Sequence, residues 1–197
     1  MSFRTEHKIS VSAGRVIDAI DWISQSGAIY LHDKRTVFST YFDNDSMSMY
    51  HDSEEGVVPR KKIRIRVYNE MGDAAKGGLL EQKISSVEGR FKKSTFMDKS
   101  EVDLHMRQGI FDDQYGFCRP VVQVKYSREY FKINSTRITL DSDIRYCGVG
   151  GFDWVEDGMT SMEIKATYAA DQNELMQGFP FMRARFSKYS RACDFAI

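Results

Sequence analysis

The most constraining feature of this chain is a series of short segments in which polar and apolar residues alternate one for one. Successive side chains leave a β-strand on opposite sides, so a period of two marks strands that bury one face. Read this way, strands are expected at residues 3–11, 36–42, 62–68, 79–85, 91–97, 121–133, 136–146 and 161–168. Fewer segments have helical spacing. One starts at Ser12 as an N-cap, sets Val16, Ile17, Ile20 and Ile23 on a face and stops at Gly27. Shorter helices are expected at 98–108 and 171–178, and loops at 72–78 and 148–151, where glycine accumulates. Many strands and few helices predict a β-dominated α+β fold, an antiparallel sheet or barrel with helices covering its outer face.

The chain has 197 residues, 42% of them hydrophobic, three prolines and no low-complexity linker, so residues 1–197 read as one domain with a buried core. No apolar run reaches the roughly 18–20 residues needed to cross a bilayer. The first residues lack the apolar stretch of a secretory signal. Cys118, Cys147 and Cys193 form no CxxC pair, which argues against a disulfide framework or a structural zinc site. The four histidines, His7, His32, His51 and His105, have no ligand spacing. A cytoplasmic location is expected. The 28 basic and 28 acidic side chains cancel, so no global field would draw in a nucleic acid, and none is expected as partner. The glycines of residues 72–78 lack the Gly-Lys-Ser/Thr ending of a P-loop.

The placement of the charges carries the chemical information. Arg4, Glu6 and Lys8 share one side of the first strand, and Lys62, Arg64 and Arg66 share one side of another. Glu81 with Lys83, Glu163 with Lys165, and Arg137 with Asp141 and Asp143 repeat the pattern. A single strand of this kind is ordinary, since antiparallel sheets often keep one wet face. Five such strands are harder to explain by solvation alone, because like charges two residues apart repel unless an anion or an acidic neighbour separates them. Closing a sheet of about eight strands would turn this face into a polar lumen. A phosphate chain suits such a lumen: Arg offers planar bidentate donors, Lys compact charges, and isolated carboxylates suit Mg²⁺ or Mn²⁺. Asp141 and Asp143 read either as groups that orient Arg or Lys or as ordinary strand-end acids.

Tyr41-Phe42-Asp43-Asn44-Asp45, then Met49-Tyr50 and the Arg64-x-Arg66 strand, resemble the VTC domain. VTC domains are the catalytic part of polyphosphate polymerases, within the triphosphate tunnel metalloenzyme superfamily and related to CYTH proteins. Further pieces follow in order along nearly the whole chain: Glu81-x-Lys83, the basic group Arg90, Lys92 and Lys93, Tyr126-Ser127-Arg128, Glu163-x-Lys165, and Ser187-Lys188-Tyr189-Ser190. The resemblance implies an antiparallel eight-stranded β-barrel enclosing a triphosphate tunnel. It also implies transfer of the ATP γ-phosphate to a growing polyphosphate chain, with Mn²⁺ or Mg²⁺ required. Arg64, Arg66, Lys83 and Lys165 would form the catalytic set, with Lys8, Lys92, Lys125, Arg128, Arg137 and Lys188 as further phosphate ligands. Glu163 would hold the metal, with Glu6 and Glu81 as additional candidates. Lys93 stands as an alternative to Lys92, and Lys125 to Arg128. Arg4 occupies the position where hydrolytic relatives begin a Glu-x-Glu-x-Lys motif, and Lys165 stands where capping triphosphatases carry a second Glu. Both losses favour phosphate-chain handling over hydrolysis. A tripolyphosphatase or nucleoside triphosphatase, or a non-catalytic polyphosphate-binding module, are the other readings. The phosphate-sensing and transmembrane domains of eukaryotic polymerases are not expected here, so coupling to a membrane would need a partner. The oligomeric state stays open.

Overall fold

A computed structural model describes residues 5–68, 77–166, 179–182 and 184–196, with side chains from residue 7 onward. Ten strands form one sheet: β1 (Thr5–Ser12), β2 (Ile29–Asp43), β3 (Arg60–Tyr68), β4 (Gly78–Ser86), β5 (Gly89–Met97), β6 (Ile110–Asp112), β7 (Gly116–Ile133), β8 (Thr136–Gly148), β9 (Val155–Glu156) and β10 (Met159–Ala166). Four helices are α1 (Val16–Gln25), α2 (Ser48–Glu55), α3 (Lys99–Gln108) and α4 (Lys188–Ala196). The main pairing path is β1-β10-β8-β7-β2-β3-β4-β5, with β6 beside β7 and β9 beside β8. The expected eight strands therefore make up this path, and two short ones add to it. The expected closure is not seen in the pairing: among the described residues no ladder joins β5 to β1. Consistent with an edge, Arg90 to Phe96 of β5 are all exposed.

The chain divides into two compact units. Unit 1 comprises Met1–Arg35, Tyr126–Ile144 and Glu156–Phe186; unit 2 comprises Thr36–Lys125, Arg145–Val155 and Ser187–Ile197. In unit 1 the apolar residues of each alternating strand share a face: Ile9 and Val11 from β1, Ile138 and Leu140 from β8, Met162 and Ile164 from β10. Ala19 and Ile23 of α1 pack on that face, with Trp22 and Phe179 at its margin in an edge-to-face contact of 4.7 Å. Burying one such aliphatic side chain stabilises by about 1.5–3 kcal/mol, so this face holds α1 in place and leaves the opposite face to polar residues. Ser12 ends β1 and gives no side-chain cap; a 3₁₀ turn, Ala13–Arg15, precedes α1. The expected strand 161–168 is seen to Ala166, and the expected helix 171–178 lies outside the described residues, as does most of the loop at 72–78.

Unit 2 contains the β3–β4–β5 meander, and its buried apolar residues include Phe42, Met49, Ile63 and Ile65. The helix expected at 98–108 is α3. Its start follows from a capping box: Asp98 Oδ1 accepts the Glu101 N–H at 2.9 Å, and Glu101 Oε2 accepts the Asp98 N–H at 2.9 Å. Two helices that alternation did not show, α2 and α4, are also fixed by side chains at their starts. Asp43 accepts the N–H groups of Met49 and Tyr50, each at 3.0 Å, and Asn44 Oδ1 accepts that of Ser48 at 2.9 Å. Ser187 Oγ accepts the Ser190 N–H at 3.2 Å, so Ser187 caps α4. Among the described residues no helix is long and apolar enough to cross a membrane.

Candidate functional site

In unit 2 Arg64 and Arg66 of β3 and Glu81 of β4 point to one face and are buried rather than wet. Arg64 and Arg66 are 7% and 5% exposed, and Glu81 is fully enclosed. The register explains the convergence: Arg64 lies opposite Glu81 across β3 and β4. Arg64 donates to Glu81 Oε2 from Nε at 2.7 Å and approaches it with Nη2 at 2.6 Å. Arg66 Nη1 lies 3.4 Å from the same oxygen, and the Lys92 ammonium pairs with Oε1. Burial works to raise the Glu81 carboxyl pKa, but these three cations outweigh it and hold it down to about 2. A second row runs across the same strands, since Lys62, Lys83 and Lys92 are direct cross-strand neighbours. Lys92 therefore shares the Glu81 side of β5, and Lys93, opposite Gln82, lies on the other.

The back of this cluster is aromatic. Tyr41 on β2 is the cross-strand partner of Arg64, and its hydroxyl accepts from Arg64 Nη1 at 2.8 Å. Burial would raise the Tyr41 phenol, but Arg64, Arg66 and Lys188 hold it below its ordinary value. Tyr41 stacks on Tyr189 of α4 at 5.0 Å, and the Tyr189 hydroxyl donates to Asp43 Oδ2 at 2.5 Å. Lys62 Nζ donates to Ser187 Oγ at 2.7 Å. Asp43 thus joins the start of α2 to α4, and α4 carries Lys188 close enough for its charge to act on Tyr41.

Unit 1 carries a polar group of similar character. Glu163 on β10 has Lys8 of β1 and Thr139 of β8 as its cross-strand partners, and Lys165 Nζ lies 3.1 Å from Glu163 Oε2. Arg137 is opposite Lys165 and exposed. Arg128 and Asp141 form a bidentate pair, and the charge of Glu163 also acts on Arg128.

Glu81, expected among the metal candidates, has its carboxylate engaged by three cations. Lys125, expected beside Arg128, is exposed with its ammonium 5.1 Å from the Phe38 ring, whereas Arg128 packs 5.2 Å from the ring of buried Tyr126. Residues of odd separation on one strand face opposite ways, and these two do. Asp143 is exposed, 3.7 Å from Lys34, and does not join the Asp141 group. The backbone of Glu6 pairs with Lys165, but its side chain lies outside the described residues. Sequence reasoning did not single out Ser39 or Thr139, and it gave Tyr41 no role in the site. Ser39 and Thr139 are buried opposite Arg66 and Glu163, and their hydroxyls have no hydrogen-bond partner among the described residues.

Among the described residues no three His, Cys, Asp or Glu side chains gather to cage an ion. Glu163, a hard oxygen donor beside an orphaned Thr139 hydroxyl, fits Mg²⁺ or Mn²⁺ that takes most of its ligands from waters and substrate phosphates. It does not fit a cage built by protein alone.

The strand order and paired helices define a known class of fold. Three solved structures are similar over almost their entire length: a proposed adenylate cyclase from Bacillus halodurans (TM-score 0.64, 16% identity, covering 95% of this chain and 96% of that one), another from Vibrio parahaemolyticus (0.58, 16%, 98% and 98%), and a proposed adenylyl cyclase from Hippeastrum with a dominant triphosphatase activity (0.62, 14%, 99% and 97%). At these identities the likeness concerns fold alone. The family is given by the sequence: residues 3–115 and 110–197 match the VTC domain, and the chain belongs to that family. No curated protein matches the chain.

Proposed function

We propose that this protein is a metal-dependent polyphosphate polymerase that transfers the γ-phosphate of ATP to the end of a phosphate chain. The observation that carries the proposal is one face of unit 2, where buried Arg64 and Arg66 converge with Lys92 on Glu81 and Lys62, Lys83 and Lys92 form a cross-strand row beside them. Buried guanidinium groups are costly unless anionic groups accompany them, and a phosphate chain brings many such groups. Phosphoryl transfer asks a protein chiefly for positioning and charge neutralisation, which this face supplies. Arg64 and Arg66 would grip phosphate oxygens as charge builds on them, with Lys83 and Lys92 alongside. A divalent ion held at Glu163, when bound, would neutralise phosphate charge.

The attacking group distinguishes polymerisation from hydrolysis. A terminal phosphate oxygen is already ionised near neutral pH, so it forms its new bond to the γ-phosphorus without a general base while ADP leaves. Water would need a base, and Glu81 is unsuited to that role, being enclosed by cations and ionised down to about pH 2. ATP and polyphosphate are thus the proposed ligands.

Incubation with γ-labelled ATP and Mn²⁺ or Mg²⁺ tests the reading. A ladder of lengthening phosphate chains is expected. Release of orthophosphate from ATP or tripolyphosphate without chain growth would make the protein a triphosphatase. Tight binding with no turnover under either metal would make it a binding module.

A further inference from the structure

We infer that Asp141 is a positioning residue that fixes the guanidinium of Arg128 so that one defined edge faces a phosphate chain; the inference rests on the proposed binding of phosphate chains by this protein. Arg128 Nε donates to Asp141 Oδ1 at 2.5 Å and Nη2 donates to Oδ2 at 2.7 Å. A guanidinium has five N–H donors in one plane, so a carboxylate that takes two of them sets the direction of the other three. Those are the two on Nη1 and the second on Nη2. The rings of Tyr126 and Tyr130, on the same strand, lie 5.2 and 6.0 Å from the guanidinium carbon and restrict it further.

Asp141 is not an ordinary strand-end acid. It is 2% exposed and sits within the β8–β10 ladder opposite Ser161. Arg128 keeps 13% of its side chain exposed, and Thr139, with its buried hydroxyl lacking a partner, stands two residues before Asp141 on the same face. The ion pair is neutral overall, so Arg128 acts here as a directed hydrogen-bond donor more than as a free charge. Its rotamer freedom is given up on folding and not on ligand binding, which favours affinity. The Arg128–Asp141 pair therefore does for unit 1 what Glu81 does for Arg64 in unit 2.

The test is titration of the full chain with inorganic tripolyphosphate, by calorimetry, in a double-mutant cycle. Asp141→Asn and Arg128→Ala are each expected to weaken binding about tenfold, and the double variant no more than Arg128→Ala alone, because coupled residues are not additive. An unchanged affinity in Asp141→Asn, or its full effect persisting when Arg128 is already gone, overturns the inference. So does an Arg128→Ala variant that binds like the wild type. Absence of binding by the wild-type chain would instead overturn the phosphate-binding reading itself. If Asp141→Asn does not fold, Asp141→Glu serves in its place. It keeps the charge and displaces the guanidinium, and the same loss of affinity is expected with the melting temperature retained.

Discussion

Glu81 shows how strand pairing surrounds a single carboxylate with cations that a local motif does not reveal. Its spacing with Lys83 suggests a metal carboxylate, yet three cations close over it. Its folded-state pKa of about 2 lies below the ordinary 4.5, so its ionic contribution to stability is fully present above pH 4.5 and is lost as pH falls through 2. Denaturant midpoints measured between pH 7 and pH 2 should show this loss in the wild type and a shallower one in Glu81→Gln, which should be less stable at neutral pH. The Mn²⁺ concentration for half-maximal activity should stay the same in Glu81→Gln and rise in Glu163→Gln; the reverse pattern would restore Glu81 as the ligand. Arg64→Ala or Arg66→Ala should lower activity by about 10²-fold or more, the usual scale for a donor acting on developing charge. Full activity in both, with circular dichroism unchanged, would remove the mechanism.

At the level of elements, α2 and α4 are the parts that alternation could not show. The segment Ser48–Glu55 is mostly polar, and its N-terminus is made by the Asp43 and Asn44 side chains. Asp43 also accepts the Tyr189 hydroxyl, so one buried carboxylate ties two helices. Asp43→Ala removes a helix cap and leaves a buried hydroxyl unpaired, a combined cost of about 2–5 kcal/mol. Urea unfolding should report that loss as a lower midpoint at constant slope, whereas Tyr189→Phe should cost about 1 kcal/mol. Equal losses in the two variants would mean that the cap contributes nothing. The first half of β2 was unreadable for another reason. Residues such as Ile29 and Tyr30 are 62% and 67% exposed, so no buried face imprints a period on them.

Across the whole molecule, apolar packing and clustered charge take opposite faces of the same strands. Ile23 of α1, 2% exposed, packs on the apolar face of unit 1, and Ile23→Ala should cost about 2–5 kcal/mol in thermal or urea unfolding. Its affinity for tripolyphosphate below the transition should equal that of the wild type, and a parallel loss of binding would show that the two faces are not separable. By itself the sequence determined the eight strands of the main path, the alternation that sets Arg64 and Arg66 on one side of theirs, and the family, because alternation and motif order are local properties of the chain. The choice of Lys92 over Lys93 belongs with these, since Phe91 must face away from it. Tertiary structure alone decided which cation meets which carboxylate: Arg64, Arg66 and Lys92 reach Glu81, and Arg128 reaches Asp141, through strand pairings that no local pattern encodes. Register is set by long-range hydrogen bonds and packing, and a shift of one residue would send every one of these charges to the other side.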